Sequence, residues 1–149
     1  MIRPAVAGDV PAIQALVRDA YAMYVPRIGR QPAPVTADHP GLVAAGRTSV
    51  VEVEGEVAGV IVLIPGDDHL LVENVAVDPA MQGRGLGREL MAFAERRAAE
   101  LELPELRLYT NQLMTENLAL YPALGYTETG RRVEDGFARV YFSKRISTA

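Results

Sequence analysis

The stretch that most constrains this chain is Val72 to Leu90, which reads VENVAVDPAMQGRGLGREL. Its opening, Val72-Glu73-Asn74-Val75-Ala76-Val77, alternates large apolar residues with others and is rich in valine, which is a strand pattern. Asp78-Pro79 ends that strand, because proline has no N–H for a ladder and restricts the residue before it. Gln82-Gly83-Arg84-Gly85-Leu86-Gly87 follows, and Arg88 to Leu101 then carries a helical apolar period. The order is strand, glycine loop, helix.

That order suits an anion. The first amides of a helix lack intrahelical partners and sit at the positive end of its dipole. Glycines let the backbone come close to a ligand that a Cβ would hold off. Arg84 and Arg88 add positive charge beside the same loop.

A Walker loop requires a Lys-Ser or Lys-Thr pair after the glycines, and none follows here. The dinucleotide pattern G-x-G-x-x-G fails too, since its third glycine falls on Arg88 or Leu90. What remains is Gln82-x-x-Gly85-x-Gly87 between a valine-rich strand and an amphipathic helix. This resembles the acyl-CoA pyrophosphate loop of the GNAT superfamily of N-acetyltransferases. The alternative is a glycine-rich connection with no ligand, and the flanking elements argue against it.

The remaining composition fits one α+β domain over residues 1–149. That length buries a core without disulfides, and the absence of cysteine excludes thiol catalysis and thiolate metal sites. A formal charge of −4 gives no nucleic-acid surface. The N-terminus MIRPAVAGD lacks a signal-peptide core, and the apolar run Val57 to Ile64 is too short for a membrane span. A soluble, cytoplasmic protein is the expectation.

Along the chain, Ile2 to Ala5 reads as a short strand and Asp9 as the N-cap of a helix from Val10. Val10, Ile13, Leu16, Val17, Ala20, Tyr21 and Tyr24 recur at helical spacing until Pro26, which is expected to end the helix. Arg27 to Gly41 reads as a loop, with at most a short helix near Asp38 to Ala45. Thr48 to Val53, Val57 to Pro65 and Leu70 to Val77 form a meander. In the helix after the glycine loop, Leu86, Leu90, Phe93, Ala94, Ala98 and Leu101 make the buried stripe. A strand over Glu105 to Thr110, a helix over Thr115 to Leu124 stopped by Gly125, and strands over Tyr126 to Arg132 and Phe137 to Ser143 complete the chain.

The resemblance extends over nearly the whole chain, because LRLYTNQLMTENLALYPALGYTE is similar to the family's fifth strand and fourth helix with the closing Tyr-x-x-Leu-Gly-Tyr element. It implies a mixed sheet of six or seven strands, flanked by about four helices, with the fourth and fifth strands splayed around the pantetheine arm. It implies that main-chain groups of Val75, Ala76 and Val77 pair with pantetheine as an added strand would. It also implies that Gln82, Gly83, Arg84, Gly85, Leu86, Gly87 and Arg88 hold the pyrophosphate, and that Tyr121 protonates the leaving thiolate. The family's pantetheine-contacting asparagine is replaced by Met114, and Asn111 and Asn117 on either side are the candidate substitutes.

The chemistry so implied is transfer of an acetyl group from acetyl-CoA to a primary amine by direct attack in a ternary complex. A lysine-like amine, of pKa ~10.4, needs about 4 to 5 kcal/mol to be freed of its proton at neutral pH. A base therefore helps, typically by ~10²–10⁴-fold. Glu73 precedes the pantetheine strand, where several family members carry a catalytic glutamate, and it acts as a base only if burial or a like charge raises its pKa. Its other reading is an exposed strand residue paired with an arginine.

A small-molecule acceptor is favoured over a protein one. Tyr24 and Arg27 offer a polar rim for it, and Arg27 or Arg30 suits a carboxylate-bearing acceptor. His39 and His69 lie in separate segments without nearby ligand spacing, so no metal site is expected. An edge strand near Phe137 to Ser143 makes a homodimer a possibility. The rivals are a non-catalytic CoA-binding sensor of the same fold and a nucleotide-phosphate binder, separable by thiol release and by ligand-induced thermal stabilisation.

Overall fold

The computed structural model describes residues 1–146. Its strands are β1 Ile2–Pro4, β2 Thr48–Val53, β3 Glu56–Pro65, β4 Leu70–Val77, β5 Glu105–Asn111, β6 Thr127–Glu134 and β7 Phe137–Arg145. Its helices are α1 Val10–Tyr21, α2 Val25–Ile28, α3 His39–Ala44, α4 Leu86–Glu100 and α5 Thr115–Ala123. The hydrogen-bonded strand order is β1-β2-β3-β4-β5-β7-β6, a seven-stranded mixed sheet. It is mixed because β4 and β5 run parallel, while β1–β2, β2–β3, β5–β7 and β6–β7 are antiparallel. The chain packs as two compact units, one of Met1–Leu63 with Asn74–Phe93, the other of Ile64–Glu73 with the described residues from Ala94.

In the N-terminal unit, the apolar face of α1 supplies Ile13, Leu16 and Val17 to a core completed by Val43, Val50, Val60 and Ala76. The Glu54-Gly55 turn joins β2 to β3 with both residues at positive φ, as a tight hairpin requires. Ala58 to Leu63 are all buried, because this part of β3 is covered on both faces. Gly59 sits where a Cβ would come within 2.8 Å of Val51 Cγ1 and 3.1 Å of Leu90 Cδ1, so the first turns of α4 lie directly on the strand.

Three details differ from the sequence expectation. Asp9 occupies the N-cap position of α1 but does not cap it. Its carboxylate accepts instead from the Val6 amide at 2.8 Å and from Arg3 at 2.7 and 2.9 Å, and the charge-assisted bonds to the guanidinium draw it away from the helix amides. Pro26 does not stop the helical run; it stands in the first turn of α2, where the missing N–H costs nothing, and Gly29 at φ 84° ends that turn. In α4, Met91 joins the buried stripe, while Phe93 is half-buried and Leu101 lies beyond the helix and exposed.

In the C-terminal unit, β4 and β5 pair from Leu70↔Leu106 to Val72↔Leu108 and no further, although β5 continues to Asn111 alongside β7. Leu106 and Leu108 go to the core with Val140 and Phe142, while Glu105, Arg107 and Tyr109 turn to the other face. The strand β7 is not an edge: it pairs with β5 on one side and β6 on the other, which leaves β6, mostly exposed, as the border. β7 rather than β6 lies beside β5 because β7 carries the buried Val140 and Phe142, whereas β6 has little to bury.

Candidate functional site

The glycine loop is built by backbone conformation. Asp78 caps a short 3₁₀ turn over Pro79–Met81 by accepting from the Ala80 amide at 3.0 Å. Gly83 and Gly85 follow at φ 86° and 78°, left-handed values that favour glycine. The first bond into α4 runs from Glu89 N to Gly85 O at 3.0 Å. The amides of Gly83, Arg84, Gly85, Leu86, Gly87 and Arg88 consequently donate to no acceptor among the described residues. Arg84 and Arg88 are exposed beside them and pair with no carboxylate among the described residues. Six unpaired donors, a helix N-terminus and two guanidiniums form a cradle for an anion. The predicted Gln82 is exposed at its entrance.

Along β4 in the same unit, Val75 and Val77 are half-buried and Ala76 is buried. The Tyr21 hydroxyl on α1 donates to Asn74 Oδ1 at 2.8 Å and also reaches the Val75 carbonyl at 3.4 Å. Asn74 is 6% exposed, and its Nδ2 has no partner among the described residues. Tyr24, expected on an open rim, is buried, with its ring 6.2 Å from that of Tyr21. Arg27 is exposed, and its guanidinium lies 5.2 Å from the Tyr24 ring centre. The apolar ring finds a place in the core while the cation covers it from solvent.

In the C-terminal unit, Glu73 is half-buried and its partner is not an arginine: the Tyr109 hydroxyl donates to Oε1 at 3.1 Å. Burial, with the Glu73 charge adding to it, pushes the Tyr109 phenol up to about 12, so it remains a donor. Tyr121 is buried on α5, its ring 5.8 Å from Tyr126 and 5.7 Å from Phe142. Asn111 Oδ1 accepts from the Leu113 amide at 2.9 Å, and Asn117 Nδ2 donates to Thr110 Oγ1 at 3.0 Å. Both asparagines therefore help to fix the β5–α5 connection around buried Met114.

The sequence reading missed Tyr109 and Asn74. Tyr109 was findable only through register: pairing Leu71 with Arg107 puts Glu73 and Tyr109 two residues further on the same face. His39 is buried with Nε2 3.0 Å from the Pro34 carbonyl, and His69 Nδ1 lies 2.8 Å from Asp68. Among the described residues no group of three or more histidines and carboxylates is arranged to hold a metal ion, and no helix is long and apolar enough to cross a membrane.

Comparison with known proteins bears on this geometry. Residues 13–126 match the family described as the acetyltransferase (GNAT) family. A mycothiol acetyltransferase from a Nocardioides species is 36% identical over 92 residues, which is 62% of this chain but only 26% of that protein. The ribosomal-protein-S18-alanine N-acetyltransferase of Escherichia coli superposes with a TM-score of 0.78 at 23% identity, covering 100% of this chain and 95% of that one. The PaiA N-acetyltransferase of Thermoplasma acidophilum, solved in complex with coenzyme A, superposes with a TM-score of 0.80 at 14% identity over 97% and 98% of the two chains. At those identities the structural likeness establishes the fold.

Proposed function

The chain belongs to the acetyltransferase (GNAT) family, and from that premise we propose that residues 1–149 act as one acetyl-CoA-dependent N-acetyltransferase domain whose acceptor is a primary amine on a small molecule. The observation that carries the reading is the run of unpaired amides from Gly83 to Arg88. A diphosphate is the ligand that uses so many donors together with two cations. Val75, Ala76 and Val77 serve the pantetheine arm through their main chain, with Gln82 at the loop entrance. The carboxamides of Asn111 and Asn117 stiffen the connection that carries α5.

Acetyl-CoA supplies an electrophilic acetyl carbon and a thiolate leaving group. Glu73 Oε2 takes the proton released as the new C–N bond forms, while Tyr109 holds the other oxygen of the carboxylate. Tyr121 gives its hydroxyl proton to the departing sulfur as the C–S bond breaks. The net change is amine plus thioester to amide plus free thiol, and the proton on Glu73 passes through solvent to the Tyr121 oxygen, which restores both groups. Of the two acceptor-side candidates, Arg27 is exposed and serves that side, with the buried Tyr24 ring behind it. A cytoplasmic setting, where acetyl-CoA is available, accords with this role.

The test is thiol release from acetyl-CoA across a panel of small amines and N-terminal peptides. Turnover of at least one small amine is the expected result. Binding of CoA without turnover by any acceptor would leave a sensor as the function.

A further inference from the structure

A cavity of about 680 Å³ lies within the C-terminal unit, on the face of β5, β7 and β6 lined by Tyr109, Tyr141, Arg132 and Arg139. Register places these residues together: Tyr109 opposes Tyr141, and Arg132 opposes Arg139. Arg139 stacks over Tyr109 at 4.4 Å, Arg132 over Tyr141 at 4.3 Å, and the two rings lie 5.7 Å apart. A guanidinium stacked on a ring points its N–H donors outward in its own plane, where a carboxylate or phosphate takes two at once.

The distribution of charge singles out this pair. Arg107 bonds Glu105 at 3.2 Å and lies 3.8 Å from Asp68, and Arg131 holds Glu128 through two N–H bonds. Arg139 and Arg132 have Glu134 between them, at 3.9 and 3.7 Å, and neither makes a hydrogen bond to a described residue. Yet the Arg139 side chain is only 12% exposed. A cation so far removed from water is costly unless paired, and half a share in one carboxylate beyond hydrogen-bond reach does not pair it. An anion entering the cavity does.

Tyr109 joins this cavity to the chemistry, since it lines the wall and its hydroxyl holds Glu73. We infer, resting on the acetyltransferase reading above, that the acceptor is a small amine that also bears a carboxylate or phosphate. Arg139, assisted by Arg132, binds that anion, and the acceptor nitrogen lies toward Glu73 along the Tyr109 ring. Sequence had offered Arg27 or Arg30 for this task; the stacked pair on β6 and β7 takes it instead.

Thiol release is measured for matched amines, ethanolamine against O-phosphoethanolamine and butylamine against 4-aminobutanoate. At least one anionic member should exceed its neutral partner by about tenfold or more in kcat/KM, the worth of one charge-assisted contact. Arg139→Gln should shrink the ratio between the anionic and neutral members of each pair to near one, chiefly by raising KM for the anionic member. Equal turnover within both pairs, or equal loss for both members in the variant, overturns the acceptor assignment.

A second arm needs no turnover. O-Phosphoethanolamine and 4-aminobutanoate are titrated calorimetrically into protein saturated with CoA, so that the glycine loop is filled. Saturable binding that weakens about tenfold or more in Arg139→Gln and Arg132→Gln, and less in Arg139→Lys, supports the anion site even if acetyl transfer fails. Absence of binding to the unaltered chain overturns it. The two probes separate carboxylate from phosphate, and unchanged stabilisation of each variant by CoA shows that the fold is kept.

Discussion

The Tyr109 hydroxyl donates to Glu73 Oε1 across 3.1 Å and so holds one oxygen of that carboxylate in place. Glu73→Gln should lower kcat by about 10²-fold or more, the usual contribution of a general base, with CoA affinity unchanged. Tyr109→Phe should cost about tenfold in kcat, one hydrogen bond to a charged group. Because the phenol ionises only near about 12, it stays a donor throughout neutral pH, and its loss should lower kcat across that whole range without touching KM for acetyl-CoA. A kcat equal to that of the unaltered protein would count against the positioning role.

The glycine loop yields a contrast between two alanine substitutions. Gly85 stands at φ 78°, so Gly85→Ala adds about 1 to 2 kcal/mol of backbone strain and should lower both stability and CoA affinity. Gly87 lies inside α4, where an added Cβ meets only Val77 Cγ2 at 3.9 Å. Gly87→Ala should hold or raise the melting temperature, by up to about 1 kcal/mol of helix propensity, while weakening CoA binding. Thermal melts with and without CoA separate the two effects, and undiminished CoA binding by Gly87→Ala would argue against close backbone approach there.

Tyr121→Phe keeps the ring contacts with Tyr126 and Phe142 and removes only the hydroxyl. Stability should change by no more than about 1 kcal/mol, whereas kcat should fall by about 10²-fold if that hydroxyl protonates the thiolate. Acetyl donors with more acidic leaving thiols should narrow the gap, since they depart without help.

Arg3, and then the Val6 amide, hold the Asp9 carboxyl down to about 2. A carboxyl lowered on folding contributes stability that is present above the ordinary carboxylate range and is lost as pH falls through about 2. Asp9→Asn should therefore be less stable at neutral pH and show a flatter decline in melting temperature on acidification. Parallel declines for both proteins would mean that the ion pair adds nothing.

Local chemistry made much of this protein legible. Alternation marked β4 to its end at Val77, helical spacing marked α4 and α5, and positive-φ glycines fell where turns were expected, as at Gly125. The loop was readable because its form rests on a short run of φ and ψ values at Gly83 and Gly85, which glycine favours. The edges of helical segments were less so: Pro26 is compatible with either the end of one helix or the start of the next, and packing decided for the start.

Sequence by itself carried most of the elements and the family, since each rests on residues within a few positions of one another. Only the tertiary structure decided which side chains share a face. The Glu73–Tyr109 bond spans 36 residues, and Arg139 meets Tyr109 through the β5–β7 register. A slip of one residue in either ladder would send those groups to opposite faces, and no local preference sets that register. It is set by burial of Leu106, Leu108, Val140 and Phe142 on the other side of the same strands.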